Sequence, residues 1–444
     1  MSVILKKYPN DFQIVYEKSL NNLTLTSLFL ICDIGPVYEY DKIRGASHFV
    51  EHMCFKGNKR IPRSKDIFLE YSKIGAYFNA YTSKRYTCYT VKCQSNYIFH
   101  CLDILSDMLM NSLFNKKEYE KEEKVVIEEN NNNNNDPDSI IDNEIERMLY
   151  KGSSYEFPID SLEYHTSRTL NYNDVVDFYR TFYHPKNMIL SVVSDVPFQD
   201  ICKITEKTLF TKNIRSKIPA IIPVIHHGLV SQTRSEYRLI EKRGITNVHL
   251  NIGFQTCGKR SPDKFALNLL SNIMGNGLTG RLMMLLRERK GLVYGAYTST
   301  DYNEYSGNFT FYTKTKRLNF LKHGKKDSVL PLMVRIIHDM INKGITKEEL
   351  EIAKGSFKGN SIIRLQDIVT QTKYNGEYVL MGDVEKRKII SYKDIYEKYI
   401  HGISLEDIHK IIKLYFTSKN MCVCILSEKL PSLEIIQKEF ETIV

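Results

Sequence analysis

His48-Phe49-Val50-Glu51-His52 is the stretch on which the reading of this chain turns. Residues four apart on an α-helix lie on one face, one turn apart, so the two imidazoles can converge on a single cation. Such a pair supplies part of the donor set that zinc takes. Glu51 sits beside the second histidine and can reach a water held there without being a ligand. A metal that acidifies a water, next to a carboxylate that takes the proton, is an arrangement for hydrolysis. A helical histidine pair also occurs on ordinary surfaces and in satisfied cores. Here the flanking run Ser47–Phe55 is mostly apolar, so the three polar side chains are expected to be partly buried, and buried polar groups need partners.

A third ligand must come from elsewhere. The segment Tyr119–Glu129 contains strong helix formers and no Gly or Pro, and so predicts a helix. Tyr119, Glu122, Val126 and Glu129 fall on one stripe of it, and two carboxylates within a core-facing stripe suggest a buried cation. Glu129 fits the stripe better than Glu128, which lies about 100° round the helix. Glu128 and Glu122 remain alternatives at this point. Glu120, Lys121, Glu123 and Lys124 read as a solvated face.

The run Gly45-Ala46-Ser47-His48-Phe49-Val50-Glu51-His52-Met53-Cys54-Phe55-Lys56-Gly57 strongly resembles the motif of the pitrilysin-type (inverzincin) zinc metallopeptidases, whose His-x-x-Glu-His order inverts the common zincin order. The nearest branch by resemblance is the mitochondrial processing peptidase, beta-like, with its bacterial relatives. Four further segments agree in order: Gly75-Ala76-Tyr77-Phe78-Asn79-Ala80-Tyr81-Thr82-Ser83, Val125-Val126-Ile127-Glu128-Glu129, Tyr183-His184-Pro185-Lys186-Asn187-Met188 and Leu286-Arg287-Glu288-Arg289-Lys290-Gly291-Leu292-Val293-Tyr294. The resemblance covers nearly the whole chain. It implies that His48, His52 and Glu129 hold one Zn²⁺, that Glu51 is the general base, and that Glu122 matches a second acidic position. It implies that Arg287 and Tyr294 reach over from a second domain to hold substrate or steady the oxyanion. Asn79 and Ala80 are expected on a strand to which an extended peptide adds.

Composition agrees with a soluble globular protein. The chain has 444 residues, 42% hydrophobic and 26% charged, enough for two to four domains at about 150 residues each. No run of 18 apolar residues predicts a membrane span. The N-terminal residues show neither a long apolar core nor an Arg-rich amphipathic leader. Nine scattered cysteines without a CxxC pair point to free thiols in the cytoplasm or another reducing compartment rather than a disulfide framework; the mitochondrial matrix is an alternative for which no clear leader is seen. Cys54 is two residues past His52, on the wrong face for a ligand. The formal charge of +10 raises nucleic-acid binding, but the basic residues are spread along the chain and no nucleic-acid motif accompanies them.

Residues 1–211 alternate strand-like and helical stretches and are expected to form the catalytic zinc-binding domain. Residues 212–234 read as a linker, with a His226-His227 pair that lacks acidic neighbours. Residues 235–444 repeat the layout without the histidine motif, as an inactive domain contributing substrate-holding residues. Both halves predict α+β, a mostly antiparallel sheet covered by helices; the resemblance implies that together they form half of a clam-shell chamber. Asn130–Asn135 is a low-complexity run where the preceding helix should fray or cap, leaving a mobile insert. The expected function is a zinc endopeptidase acting on unfolded peptides, as a homodimer or paired with a related subunit. The rivals are a non-catalytic scaffold or partner subunit, and a basic binding protein.

Overall fold

The computed structural model of the chain describes residues 3–20, 23–159, 170–212, 234–275, 277–321, 327–381, 389–391 and 394–441. It divides into two compact units. The first is Met1–Asn131, Phe157–His226 and Ser361–Asp394; the second is Asn132–Glu156, His227–Asn360 and Ile395–Val444.

The first unit is built on six strands: β1 (Ile4–Lys7), β2 (Gln13–Lys18), β3 (Leu25–Cys32), β4 (Tyr77–Thr82), β5 (Thr87–Gln94) and β6 (Met188–Ser194). They lie in the order β1-β2-β6-β3-β5-β4, and β2–β6 is the one parallel pair among the described residues. The central strands β3 and β6 are buried almost throughout, so both sheet faces must be covered. Helix Ile368–Met381 covers one face: its Val379 and Met381 pack with Val15, Phe29, Ile31 and Ile189. Gly376 allows the close approach, since a Cβ there would lie 2.4 Å from Ile31 Cδ1. Asn375 and a neighbouring residue, Ser391, donate to the buried Glu17 carboxylate on β2 at 2.8 and 2.7 Å.

The second unit is built on β7 (Glu236–Glu241), β8 (Asn247–Cys257), β9 (Ala296–Tyr302), β10 (Ser306–Lys316) and β11 (Met421–Ser427), in the order β7-β11-β8-β10-β9. Its one parallel pair among the described residues is β7–β11. Leaving β1 aside, each sheet runs first, last, second, fourth, third. The repeated layout expected from the sequence is therefore the same topology twice, mostly antiparallel in both copies. Helix Pro137–Leu149 covers one face through Ile141, Ile145, Met148 and Leu149 against Cys422, Cys424 and Leu426.

The units are not separated by one cut along the chain. The expected division assigned Pro137–Leu149 to residues 1–211 and Ile368–Met381 to residues 235–444, but each helix packs in the other unit. An amphipathic stripe shows that a helix must bury a face; it does not show which of two similar sheets takes it. The expected linker 212–234, including His226 and His227, lies outside the described residues except at its ends.

Two helices carry the residues singled out above. The histidine helix spans Ala46–Cys54, behind Gly45 at φ 84°, a left-handed position that suits glycine. Its first backbone N–H groups need acceptors, and the buried Glu39 carboxylate supplies them, accepting from Gly45 and Ser47 at 2.7 Å each. Burial pushes the Glu39 carboxyl up, and these backbone donors pull it part of the way back.

The carboxylate helix spans Lys116–Asn135 and does not stop at the asparagines. This corrects the expected mobile insert. Asn130 is buried on the same face as Tyr119, Glu122 and Val126, and the Lys242 ammonium donates to the Asn134 carbonyl in the last turn, where a cation is favourable. Packing and a satisfied C-terminus outweigh the weak propensity of asparagine. The break comes at Asp136-Pro137, where Asp136 caps the next helix by accepting from Ser139 N at 3.0 Å and Pro137 opens it.

No described helix is long and apolar enough to cross a membrane. The nine cysteines form no disulfide, and all but Cys257 are buried. Glu39→Ala leaves two buried N–H groups without an acceptor and should cost about 2–4 kcal/mol, read as a lowered urea midpoint. Asn132→Pro should cost about 3 kcal/mol while Asn132→Ala gains a few tenths; near-neutral behaviour of both in thermal unfolding would contradict a continuous helix.

Candidate metal centre and active site

Six apolar or small residues and Glu51 are buried along the histidine helix, while His48 and His52 stay partly exposed. Their rings stand 4.7 Å apart at 79°, with side chains 13% and 19% exposed. Glu129 of the carboxylate helix faces both. Its Oε1 is 3.9 Å from His48 Nε2 and its Oε2 is 3.6 Å from His52 Nε2. The donor atoms of the three residues all lie within 4.8 Å of one another. Donors bound at about 2.0–2.2 Å to one tetrahedral ion lie roughly 3.3–3.6 Å apart, so little movement would be needed to close on one. Among the three acids left open by the sequence, Glu129 is the one that faces both imidazoles; Glu128 is exposed and outside the group.

Glu122 has a different place. Its Oε1 lies 2.9 Å from His52 Nδ1, and its Oε2 pairs with the Lys56 ammonium. A carboxylate accepts, so Nδ1 carries a proton, and in the neutral ring Nε2 would turn its lone pair toward Glu129. A lone pair and a carboxylate oxygen facing each other at 3.6 Å suit a cation between them. The electrostatics agree. Burial disfavours the charged form of His52, yet Glu122, Glu51 and Glu129 outweigh it and raise its pKa, so the site stabilises positive charge. Burial alone would raise Glu122, but its contacts to His52 and Lys56 win and hold it below the usual carboxylate range. Glu122 is thus a buried carboxylate with both oxygens engaged, by His52 and by Lys56.

Glu51 is 8% exposed, and its Oε2 accepts from the Thr82 hydroxyl at 2.6 Å. Burial pushes its pKa up; Thr82 and His52 pull it down, and Glu129 adds to the rise. A carboxyl raised in this way is better matched to taking a proton near neutrality than an exposed one. Thr82 ends β4, which also carries Asn79 and Ala80. β4 is an edge strand, paired with β5 alone among the described residues. Within the strand, the Ala80 N–H donates to Asn79 Oδ1 at 2.9 Å.

Arg287 and Tyr294 belong to the second unit. Arg287 lies in a wide helical turn, Met283–Arg289, and its guanidinium sits 5.3 Å from the centroid of the Tyr294 ring. Tyr294 is 86% exposed and follows Gly291 at φ 60°. The structure therefore brings these two to each other, on a unit separate from the one holding His48, Glu51, His52 and Glu129.

Three residues of the site were missed by sequence reasoning. Glu39 carries no spacing signal. Lys56 does, because positions 48, 52 and 56 continue one face past the helix end. Thr82 shares a strand face with Ala80, but its partner is 31 residues away.

Residues 14–160 match the family model described as insulinase, peptidase family M16, and residues 169–357 match the model described as the peptidase M16 inactive domain. The second stretch contains none of His48, Glu51, His52 and Glu129. An uncharacterized zinc protease YmxG of Bacillus subtilis is 28% identical over 420 residues, covering 93% of this chain and 96% of that protein. An uncharacterized zinc protease of Rickettsia bellii is 28% identical over 395 residues, 88% of this chain and 89% of that protein. Among solved structures, a protease from Helicobacter pylori superposes with a TM-score of 0.86 at 20% identity, over 96% of this chain and 100% of that one. The first half of the periplasmic protease PqqL from Escherichia coli gives 0.76 at 16% identity, over 99% and 96%. With two consecutive family models matched in order, the chain belongs to peptidase family M16, the pitrilysin-type family.

Proposed function

We propose that the chain is a zinc-dependent endopeptidase of the processing-peptidase kind, hydrolysing unfolded peptides or protein extensions in an enclosed chamber. The observation that carries this reading is the convergence of His48 Nε2, His52 Nε2 and the Glu129 carboxylate beside a buried Glu51. A zinc ion held by these three residues would supply Lewis acidity toward a water and the scissile carbonyl. Glu51 then takes the proton of the attacking water and returns it to the leaving amine nitrogen. Glu122, itself paired with Lys56, holds His52 in the tautomer that presents Nε2. The substrate adds as an extended strand along the β4 edge at Asn79 and Ala80, where backbone bonding reads no side chain and so suits unfolded sequences. Arg287 and Tyr294 grip the substrate or steady developing oxyanion charge.

The enclosed chamber requires a partner. The likeness to PqqL supports this, since the chain spans the first half of PqqL and 50% of its whole length. The missing half is supplied by a second copy or by a related subunit. Thiols without disulfides support a reducing compartment. A scaffold role without chemistry would leave no reason to keep three donors facing one another around a supported imidazole.

A chelator should abolish peptide cleavage, and zinc should restore it. Glu51→Gln should keep about one zinc per chain and lose about 10²–10⁴ in kcat, because it removes the base and no ligand; cleavage at the normal rate by that variant would rule out the assignment of the base. Glu122→Gln should weaken zinc binding about 10–100-fold in a competition titration, with the ligands themselves intact.

A further inference from the structure

The plane of a glutamate carboxylate turns about a soft terminal torsion, so a base on a buried helix still needs something to aim its oxygens. Glu51 has one hydrogen bond to a described residue. Oε2 accepts from Thr82 Oγ1 at 2.6 Å, and no described side chain or backbone group donates to Oε1. The donor stands at the end of an edge strand, where fraying would be expected. It is fastened instead. Thr82 pairs with Thr87 across the β4–β5 hairpin, and the Ser83 N–H closes the hairpin on the Tyr86 carbonyl at 2.8 Å.

Tyr81 and Thr82 are neighbours on a strand and point to opposite sheet faces. On the face away from Glu51, the Tyr81 and Tyr86 hydroxyls meet at 3.2 Å, and Tyr86 donates to the Glu377 carboxylate of helix Ile368–Met381. The Lys373 ammonium of the same helix lies 4.0 Å from Glu377 and 5.3 Å from the Tyr81 ring centroid. One face of the hairpin is thus tied to a helix while the other presents a single hydroxyl to Glu51.

We propose that Thr82 is the positioning residue of Glu51. Its hydroxyl pins Oε2, which leaves Oε1 aimed at the proton it takes, and the Tyr81–Tyr86–Glu377 tie keeps that hydroxyl in place. The proposal rests on the reading of Glu51 as the base. Misplacing a reacting group by an ångström costs about 10²-fold in rate, which sets the scale of the effect.

The test uses the zinc-loaded full chain and a quenched fluorogenic unstructured peptide. Thr82→Val should lower kcat about 10–100-fold, with KM within about 2-fold and zinc content unchanged, because the lost contact matters in the transition state and not in binding. Thr82→Ser returns the hydroxyl and should restore kcat to within about 3-fold. Tyr86→Phe, which keeps Thr82 but cuts the tie to Glu377, should show a smaller fall of about 3–10-fold. Wild-type kcat in Thr82→Val, or a serine variant no better than the valine one, overturns the proposal; so does a loss confined to KM or zinc content. Should the valine variant not fold, the serine and phenylalanine variants decide: both must fall within their stated ranges. Glu51→Gln run alongside separates the two readings. If it turns over normally, the base assignment fails; if it is inactive while Thr82→Val is normal, only the role of Thr82 fails.

Discussion

Two imidazole nitrogens and a carboxylate face one another across 3.6 and 3.9 Å, and that juxtaposition is favourable only around positive charge. Acceptors brought together in a partly buried place repel and lose their water. The surroundings are arranged to hold them there regardless. Glu122 accepts from His52 Nδ1, Lys56 pairs with Glu122, and Glu39 anchors the first turn of the helix carrying both histidines. Glu122 and Glu39 are buried and Lys56 is half-buried, and each has its own partner. This is costly architecture for a surface helix and reasonable architecture for a cation site.

The parts of this site that could be seen in the sequence are those carried by local periodicity. The i, i+4 histidines need only a helix to meet, and the stripe Tyr119–Glu122–Val126 turned inward as its spacing predicted, with Glu129 at its margin, 45% exposed on its side chain. What could not be seen depends on contacts between distant segments. His52 and Glu122 are 70 residues apart, and nothing local in Glu122 distinguishes a ligand, an acid or a support. The asparagine run misled for the opposite reason. Its propensity is a local property, and packing of Asn130 together with the Lys242 contact overrode it. Glu129 is consequently an interior residue of a long helix, not the last residue before a loop, which gives it a fixed direction.

The exchange of helices between the units has the same origin. Ile141, Ile145 and Leu149 announce an amphipathic helix, and so do the apolar positions of Ile368–Met381, but both sheets offer an apolar face of the same topology. The choice is made by shape. Gly253 leaves room for Leu149 on the second sheet, where a Cβ would come within 2.7 Å, and Gly376 lets its own helix settle onto Ile31 in the first. Interior packing at this density is sensitive to a single methyl group, so two small residues can settle an arrangement that no periodicity determines.

Identical strand order does not bring identical chemistry. The second sheet also buries a histidine, His249 on β8, but its Nδ1 meets the Tyr312 hydroxyl at 2.8 Å and Asp138 at 3.1 Å. Burial lowers its pKa against the pull of Asp138, the reverse of His52, where three carboxylates prevail. One imidazole with a phenol and an acid is a satisfied polar cluster; two imidazoles with an acid, supported from behind, form a group whose donor atoms lie within 4.8 Å of one another. The difference between the units lies in a handful of side chains placed on a repeated scaffold, and function is to be sought in those side chains rather than in the fold.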